Sequence, residues 1–180
     1  MGDLIVIAGP NDSGKSRWAE ELLARYHGPK RYIATMLPRT EDNFARIAKH
    51  RAQRSGLGFQ TLELPEHLDA ASVPADAAVL LEDVSNLLAN AMFGSGGDSE
   101  SVLQEIDSLR CRCRILAAVT ISGLTEADYS GETANYIRAL NVLNQSLTDR
   151  ADAAVLMEAG EAHILKGAPA AILARGRAEP

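Results

Sequence analysis

A three-layer α/β fold around a mainly parallel sheet is what the sequence predicts, and three observations carry it. Short apolar runs alternate with helix-like segments along all 180 residues. Several of the runs, "LIVIAG" (4–9), "AAVLLED" (77–83) and "RILAAVTIS" (114–122), are apolar without alternation, as in parallel strands covered on both faces. The first run leads directly into "GPNDSGKS" (9–16), which fits G-x-x-x-x-G-K-[ST] with a strand before it and a helix after it.

Taken in order, residues 4–9 form the first strand and 14–26 a helix with Trp18, Leu22 and Leu23 at helical spacing. "RYIAT" (31–35) is a second strand. Residues 40–54 form a charged helix with Thr40 as N-cap. "FQTLEL" (59–64) alternates and is a third strand, and 77–83 is a buried strand ending in two carboxylates. Residues 84–93 are helical, "GSGGDSE" (94–100) is a flexible loop, 99–112 is a helix and 114–122 a buried strand. After a loop at 127–133 comes a long helix, 133–149. "AAVLMEAG" (153–160) and "AHILKG" (162–167) make a terminal hairpin. There is no repeat and no linker, so the chain reads as one domain, 1–180, with a weakly specified tail from 168.

Composition bounds the function. A formal net charge of −6 without a long basic block disfavours nucleic acid as a partner. No apolar run approaches the ~20 residues that span a bilayer, and "MGDLIVIAGP" lacks the basic start of a signal peptide. Cys111 and Cys113 in "RCRCR" read as free thiols of a reduced, cytoplasmic protein; two cysteines alone make no zinc site.

The glycine-rich loop is built for phosphate. Gly9 and Gly14 give the backbone freedom to converge successive N–H groups on a phosphate, and the following helix adds its positive end. Lys15 spans β- and γ-phosphates and Ser16 reaches a Mg²⁺ ion. The loop alone does not separate kinase, GTPase and transferase. A second acidic position belongs at the end of a neighbouring buried strand, where Glu82 and Asp83 stand; one of them holds the metal or acts as a base, and the residues alone leave open which. Among the histidines, His27 reads as a surface or capping residue and His67 as a surface one, and His163 falls in the last strand. His50 differs: with Arg46, Lys49, Arg51 and Arg54 it forms a basic run, either a solvated face or an anion pocket around a nucleophilic imidazole.

"GPNDSGKSRWAEEL", "RYIAT", "RIAKHRAQR…FQTLELPEHL", "VLLEDVSNLLANAMF" and "NVLNQSLTDRADAAVLMEAG", in this order and spacing, resemble the bifunctional adenosylcobinamide kinase/adenosylcobinamide-phosphate guanylyltransferases of cobalamin biosynthesis over most of residues 4–167. The resemblance implies a P-loop NTPase-like fold. It also implies phosphorylation of the hydroxyl on the aminopropanol arm of adenosylcobinamide, then GMP transfer from GTP through a guanylylated histidine, which by motif position is His50. Gly9, Pro10, Asn11, Asp12, Ser13, Gly14, Lys15 and Ser16 become the phosphate loop. Thr35 matches a nucleotide-contact segment, Arg54 the arginine of the loop after the histidine, and Glu63 and Glu82 acidic positions associated with guanine nucleotide. Asn90, eight residues after Glu82, also fits the pattern. The implied partners are a corrinoid, GTP or ATP, Mg²⁺ and two further copies in a homo-trimer. Holding one nucleotide for attack at two different phosphorus atoms calls for rearrangement of residues 36–58. The chain departs from the pattern in Lys49-His50 where adjacent histidines are usual, in Ser55 where a proline is usual, in "TISGLTEADYSGET" after the strand at 114, and in Asp12 where the loop usually carries arginine. These departures leave room for a diverged regulatory nucleotide binder or a kinase-only protein.

Overall fold

The computed structural model describes residues 1–38, 41–53 and 55–175; inside the helix at 41–53 the side chains of Asp42, Asn43, Arg46, Lys49, His50 and Gln53 lie outside the description. The strands are β1 (Asp3–Gly9), β2 (Lys30–Ala34), β3 (Phe59–Glu63), β4 (Ala78–Glu82), β5 (Ile115–Ile121), β6 (Ala153–Glu158) and β7 (Glu161–Lys166). They form one sheet in the order β3-β2-β4-β5-β1-β6-β7. Every pairing is parallel except the β6–β7 hairpin. The helices are α1 (Lys15–Ala24), α2 (Glu41–Gln53), α3 (Val84–Asn90), α4 (Ser99–Arg112), α5 (Gly131–Arg150) and α6 (Pro169–Arg175).

The unbroken apolar strands are explained by burial from both sides. Along β1, Leu4 and Val6 pack into one core, with residues such as Leu87 of α3, Ile106 of α4 and Leu143 of α5. Ile5 and Ile7 point the other way, into a core with Ala19 and Leu23 of α1 and Ile172 of α6. Val79 and Leu81 against Ala78 and Leu80 repeat the division in β4. The sequence order of strands and helices therefore becomes the expected three layers.

Element limits shift where side chains close a turn. The helix predicted at 84–93 ends at Asn90 and continues as a wider turn over Ala91–Ser95. The 94–100 segment is tied down by Asp98, whose carboxylate accepts from Ser101 N while the Ser101 hydroxyl accepts from Asp98 N. α5 starts at Gly131, two residues ahead of the expected 133. The tail, read as weakly specified from 168, holds α6, which buries Ile172 and Leu173. Cys111 is exposed and Cys113, at the end of α4, is buried; both are free thiols, and burial pushes the Cys113 thiol up to about 12. His27 and His163 are exposed, and His67 pairs with Glu105.

Much of the late sequence serves this frame. Arg110, almost fully buried, donates to Gly2 O (2.8 Å), Arg150 O (3.2 Å) and Asp152 Oδ2 (2.7 Å), and Asp152 Oδ2 also accepts from Leu4 N. This ties the start of β1 to α4 and to the turn before β6. Arg110→Ala is expected to cost about 2–3 kcal/mol in chemical denaturation, because the Gly2 and Arg150 carbonyls and Asp152 lose their shared donor and a buried side chain is removed. Asn144 ties α5 to the end of β5, accepting from Thr120 Oγ1 at 2.7 Å and donating to Ile121 O at 2.9 Å.

Candidate nucleotide site

The site stands at the carboxyl ends of the central strands, where open parallel sheets bind ligands. β1 ends in Gly9, and its chain turns back through 10–14 into α1. A side chain at Gly9 would place a Cβ 2.5 Å from Met157 O and 2.6 Å from Ser13 Oγ, so only glycine fits the approach to β6. Gly14 takes a left-handed φ of 88° as it caps α1. The loop is braced by Gly160 N donating to Ser13 O and Ser122 N donating to Gly9 O. Lys15 is 7% exposed and its Nζ donates to Pro10 O at 3.0 Å. The Ser13 hydroxyl is buried and has no partner among the described residues.

Register brings the carboxylates to the same edge. Ala34 of β2 pairs with Glu63 on one side and Glu82 on the other. The two glutamates are thus two strand spacings apart, about 10 Å. Glu82 turns inward: Ser16 Oγ donates to its Oε1 at 2.6 Å, while its Oε2 is buried without a partner among the described residues. Burial raises the Glu82 carboxyl to about 8, reinforced by the negative charge of Asp83 and opposed by the Ser16 hydrogen bond and Lys15. Asp83 instead caps α3, accepting from Asn86 N at 2.7 Å. The division between these neighbours, open in the sequence, is that Glu82 meets the phosphate loop and Asp83 starts a helix beside it.

The raised Glu82 pKa has a defined sign. In the unfolded chain this carboxyl loses its proton near 4.5; in the folded protein it keeps it to about 8. The folded form therefore binds more protons between these values, and the stability this provides is full below about 4.5 and lost as pH rises through 8. Glu82→Gln is expected to raise the melting temperature of the ligand-free protein at pH 8.5 by several degrees, at about 2–4 °C per kcal/mol for a chain of this size, and to change it little at pH 5; thermal melts at the two pH values check it.

Thr35 is fully buried, and its hydroxyl donates to Asp83 O at 2.8 Å and accepts from Asp83 N at 2.7 Å. Asn90 Nδ2 donates to Thr35 O and Pro65 O, both at 2.8 Å. These two residues fix the ends of β2 and β4 and the segment after β3. Asn90→Ala is expected to destabilise by about 1–3 kcal/mol, read from the urea midpoint, because two carbonyls lose one shared donor.

Over the loop opens a cavity of about 710 Å³. Asn11, Asp12, Gly14, Lys15 and Ser16 line its floor; Glu82, Asp83 and Asn86 form one wall. Phe44, Ile47 and Arg51 of α2 form another, with Tyr32, Met36 and Glu63. Arg51 and Glu63 are ion-paired across it, both more than half exposed. Gly9, Pro10 and Ser13 shape the loop from behind. His50 belongs to α2, but its side chain lies outside the described residues, as do those of Arg46 and Lys49; Thr40 and Arg54 lie outside them altogether. The sequence did not single out Phe44, Ile47, Met36 and Asn86. The first two stand three residues apart in an amphipathic helix, which was the available signal.

A glycine-rich loop between a central strand and a helix, a buried lysine, and a serine bound to a strand-end glutamate define a P-loop nucleotide-binding protein. The family model for cobinamide kinase / cobinamide phosphate guanyltransferase matches residues 5–165, and the chain belongs to that family. The bifunctional adenosylcobalamin biosynthesis protein CobU of Escherichia coli is 28% identical over 176 residues, covering 87% of this chain and 96% of that protein. CobP of Pseudomonas aeruginosa, of the same description, is 30% identical over 177 residues, covering 94% and 99%. Among solved structures, the ATP synthase subunit NeqB of Nanoarcheaum equitans matches with a TM-score of 0.52 at 11% identity, covering 86% of this chain and 45% of that one; it shows the fold alone. The protein is thus an enzyme of cobalamin biosynthesis, a cobinamide kinase and cobinamide phosphate guanylyltransferase. Among the described residues no helix is long and apolar enough to cross a membrane.

Proposed function

We propose that both reactions use this one cavity and that GMP passes through His50. The observation that supports the reading is the placement of α2: Ile47, three residues before His50, and Arg51, one after it, both line the cavity over the phosphate loop. The loop Gly9–Ser16 holds the triphosphate of GTP or ATP, with Lys15 on its β- and γ-phosphates. In the guanylyl step an imidazole nitrogen of His50 attacks Pα of GTP, the Pα–O bond to the leaving pyrophosphate breaks, and the GMP so held is passed to cobinamide phosphate. Arg54, with Lys15, supplies positive charge for that transfer, Glu63 contacts the guanine nucleotide, and the segment carrying Thr35 and Met36 borders it.

The residues present suit a hard divalent cation such as Mg²⁺. The Ser16 hydroxyl and the buried Oε2 of Glu82, which has no partner among the described residues, are oxygen donors side by side, with Asp83 next in the chain. Bound there, the ion would neutralise phosphate charge. The reading takes the chain as one domain acting on a corrinoid and a nucleotide in the cytoplasm, and as a homo-trimer, which sedimentation equilibrium tests.

The deciding experiment incubates the protein with Mg²⁺ and GTP and measures intact mass, then maps the peptide. A gain of one GMP on His50 is expected. No adduct in the presence of bound GTP, or an adduct on Lys49, would overturn the histidine route.

A further inference from the structure

We propose that Asp12 is the general base of the kinase step, the group that takes the proton from the acceptor hydroxyl. The proposal rests on the reading of the cavity as the shared site. Three other carboxylates of the cavity already have partners: Glu63 is paired with Arg51, Glu82 accepts from the Ser16 hydroxyl, and Asp83 caps α3; Glu20 is buried in α1 and does not line the cavity. Asp12 differs in having no such partner. It lines the cavity at the crest of the phosphate loop, it is exposed, and it has no hydrogen-bond or ion-pair partner among the described residues.

Two further facts bear on this carboxylate. Asp12 holds a left-handed φ of 57°, a conformation that aspartate adopts more readily than most residues and that glycine adopts freely. A negative group beside a bound triphosphate also repels it. On the shared-site reading, this charge stands where a neutral alcohol must be made into a nucleophile.

The step balances without any further reagent. The hydroxyl oxygen of cobinamide forms a bond to Pγ as the bond from Pγ to the β–γ bridging oxygen breaks. The nucleoside diphosphate leaves with that electron pair, and the hydroxyl proton passes to the Asp12 carboxylate, which returns it to solvent at the open cavity mouth. The required reach is one hydrogen bond, about 2.6–3.2 Å between oxygens.

The test compares Asp12→Asn and Asp12→Gly with the wild type, measuring nucleotide Kd and the rate of cobinamide phosphorylation. Both substitutions tolerate the left-handed backbone, so folding is preserved. Expected is a fall in kcat of about 100-fold in each, the scale of a lost general base, with nucleotide binding equal to or a few-fold tighter than wild type. Formate added to Asp12→Gly is expected to restore part of kcat and to leave the wild type unchanged. A kcat within threefold of wild type in either variant would overturn the proposal. So would a loss of kcat matched by a loss of nucleotide affinity, or one on which formate has no effect, since either makes Asp12 a loop-shaping residue. Absence of turnover in the wild type itself would instead overturn the shared-site reading, and the proposal with it.

Discussion

Lys15→Ala is expected to lower phosphorylation and GMP transfer together, each by about 10³-fold in kcat/KM. Its ammonium is buried at the base of the loop, held by Pro10 O, on the cavity floor beside Ser16. Both reactions gather negative charge on phosphoryl oxygens, and removing a preorganised cation from such a site costs about 10²–10⁵ in rate. The substitution has a second consequence. Lys15 is one of the two groups that hold the Glu82 carboxyl down against its burial. Without it that carboxyl retains its proton to higher pH, and the cation site proposed at Ser16 and Glu82 is expected to weaken. Steady-state assays of the two half-reactions, at several Mg²⁺ concentrations, read both effects. Unchanged turnover in either reaction would remove the loop from that reaction's machinery.

How much of this was legible in the sequence depended on the range of the interaction. The central strands β1, β4 and β5 follow from apolar runs, because burial on both faces leaves almost no polar position to blur the signal, and Gly9–Ser16 follows from local backbone requirements at fixed spacing. Glu82 and Asp83 were placed at the right strand end, yet their separate partners, Ser16 and the start of α3, lie on different elements. The Arg51–Glu63 pair and the Asn90 bridge join chain segments by side chains, and no periodicity announces them. α6 was missed because "APAAILARGR" offers one short turn of apolar residues; what makes it helical is docking of Ile172 and Leu173 on the α1 side of the sheet. The family resemblance, carried by five ordered blocks, supplied the corrinoid and the guanylyl transfer, which the loop chemistry alone leaves undetermined.

His50→Ala is expected to abolish the covalent GMP adduct while GTP binding stays within about threefold of wild type and cobinamide phosphorylation continues. The separation follows from the elements involved. The proposed phosphate floor is the β1–α1 loop and the proposed cation oxygens lie on α1 and β4, whereas His50 stands on α2. Deleting a side chain from α2 leaves the floor intact and removes only the proposed nucleophile. An imidazole suits that task at neutral pH because a large fraction is uncharged and its phosphoramidate remains reactive enough to release GMP. Alanine has no atom that can bond to phosphorus, so the loss is total rather than graded. Incubation with GTP labelled at Pα, followed by denaturing electrophoresis and a parallel GTP titration, measures both quantities. Label retained by the variant would show that another residue, with Lys49 the adjacent candidate, carries the GMP; loss of phosphorylation along with the label would make His50 part of the nucleotide floor.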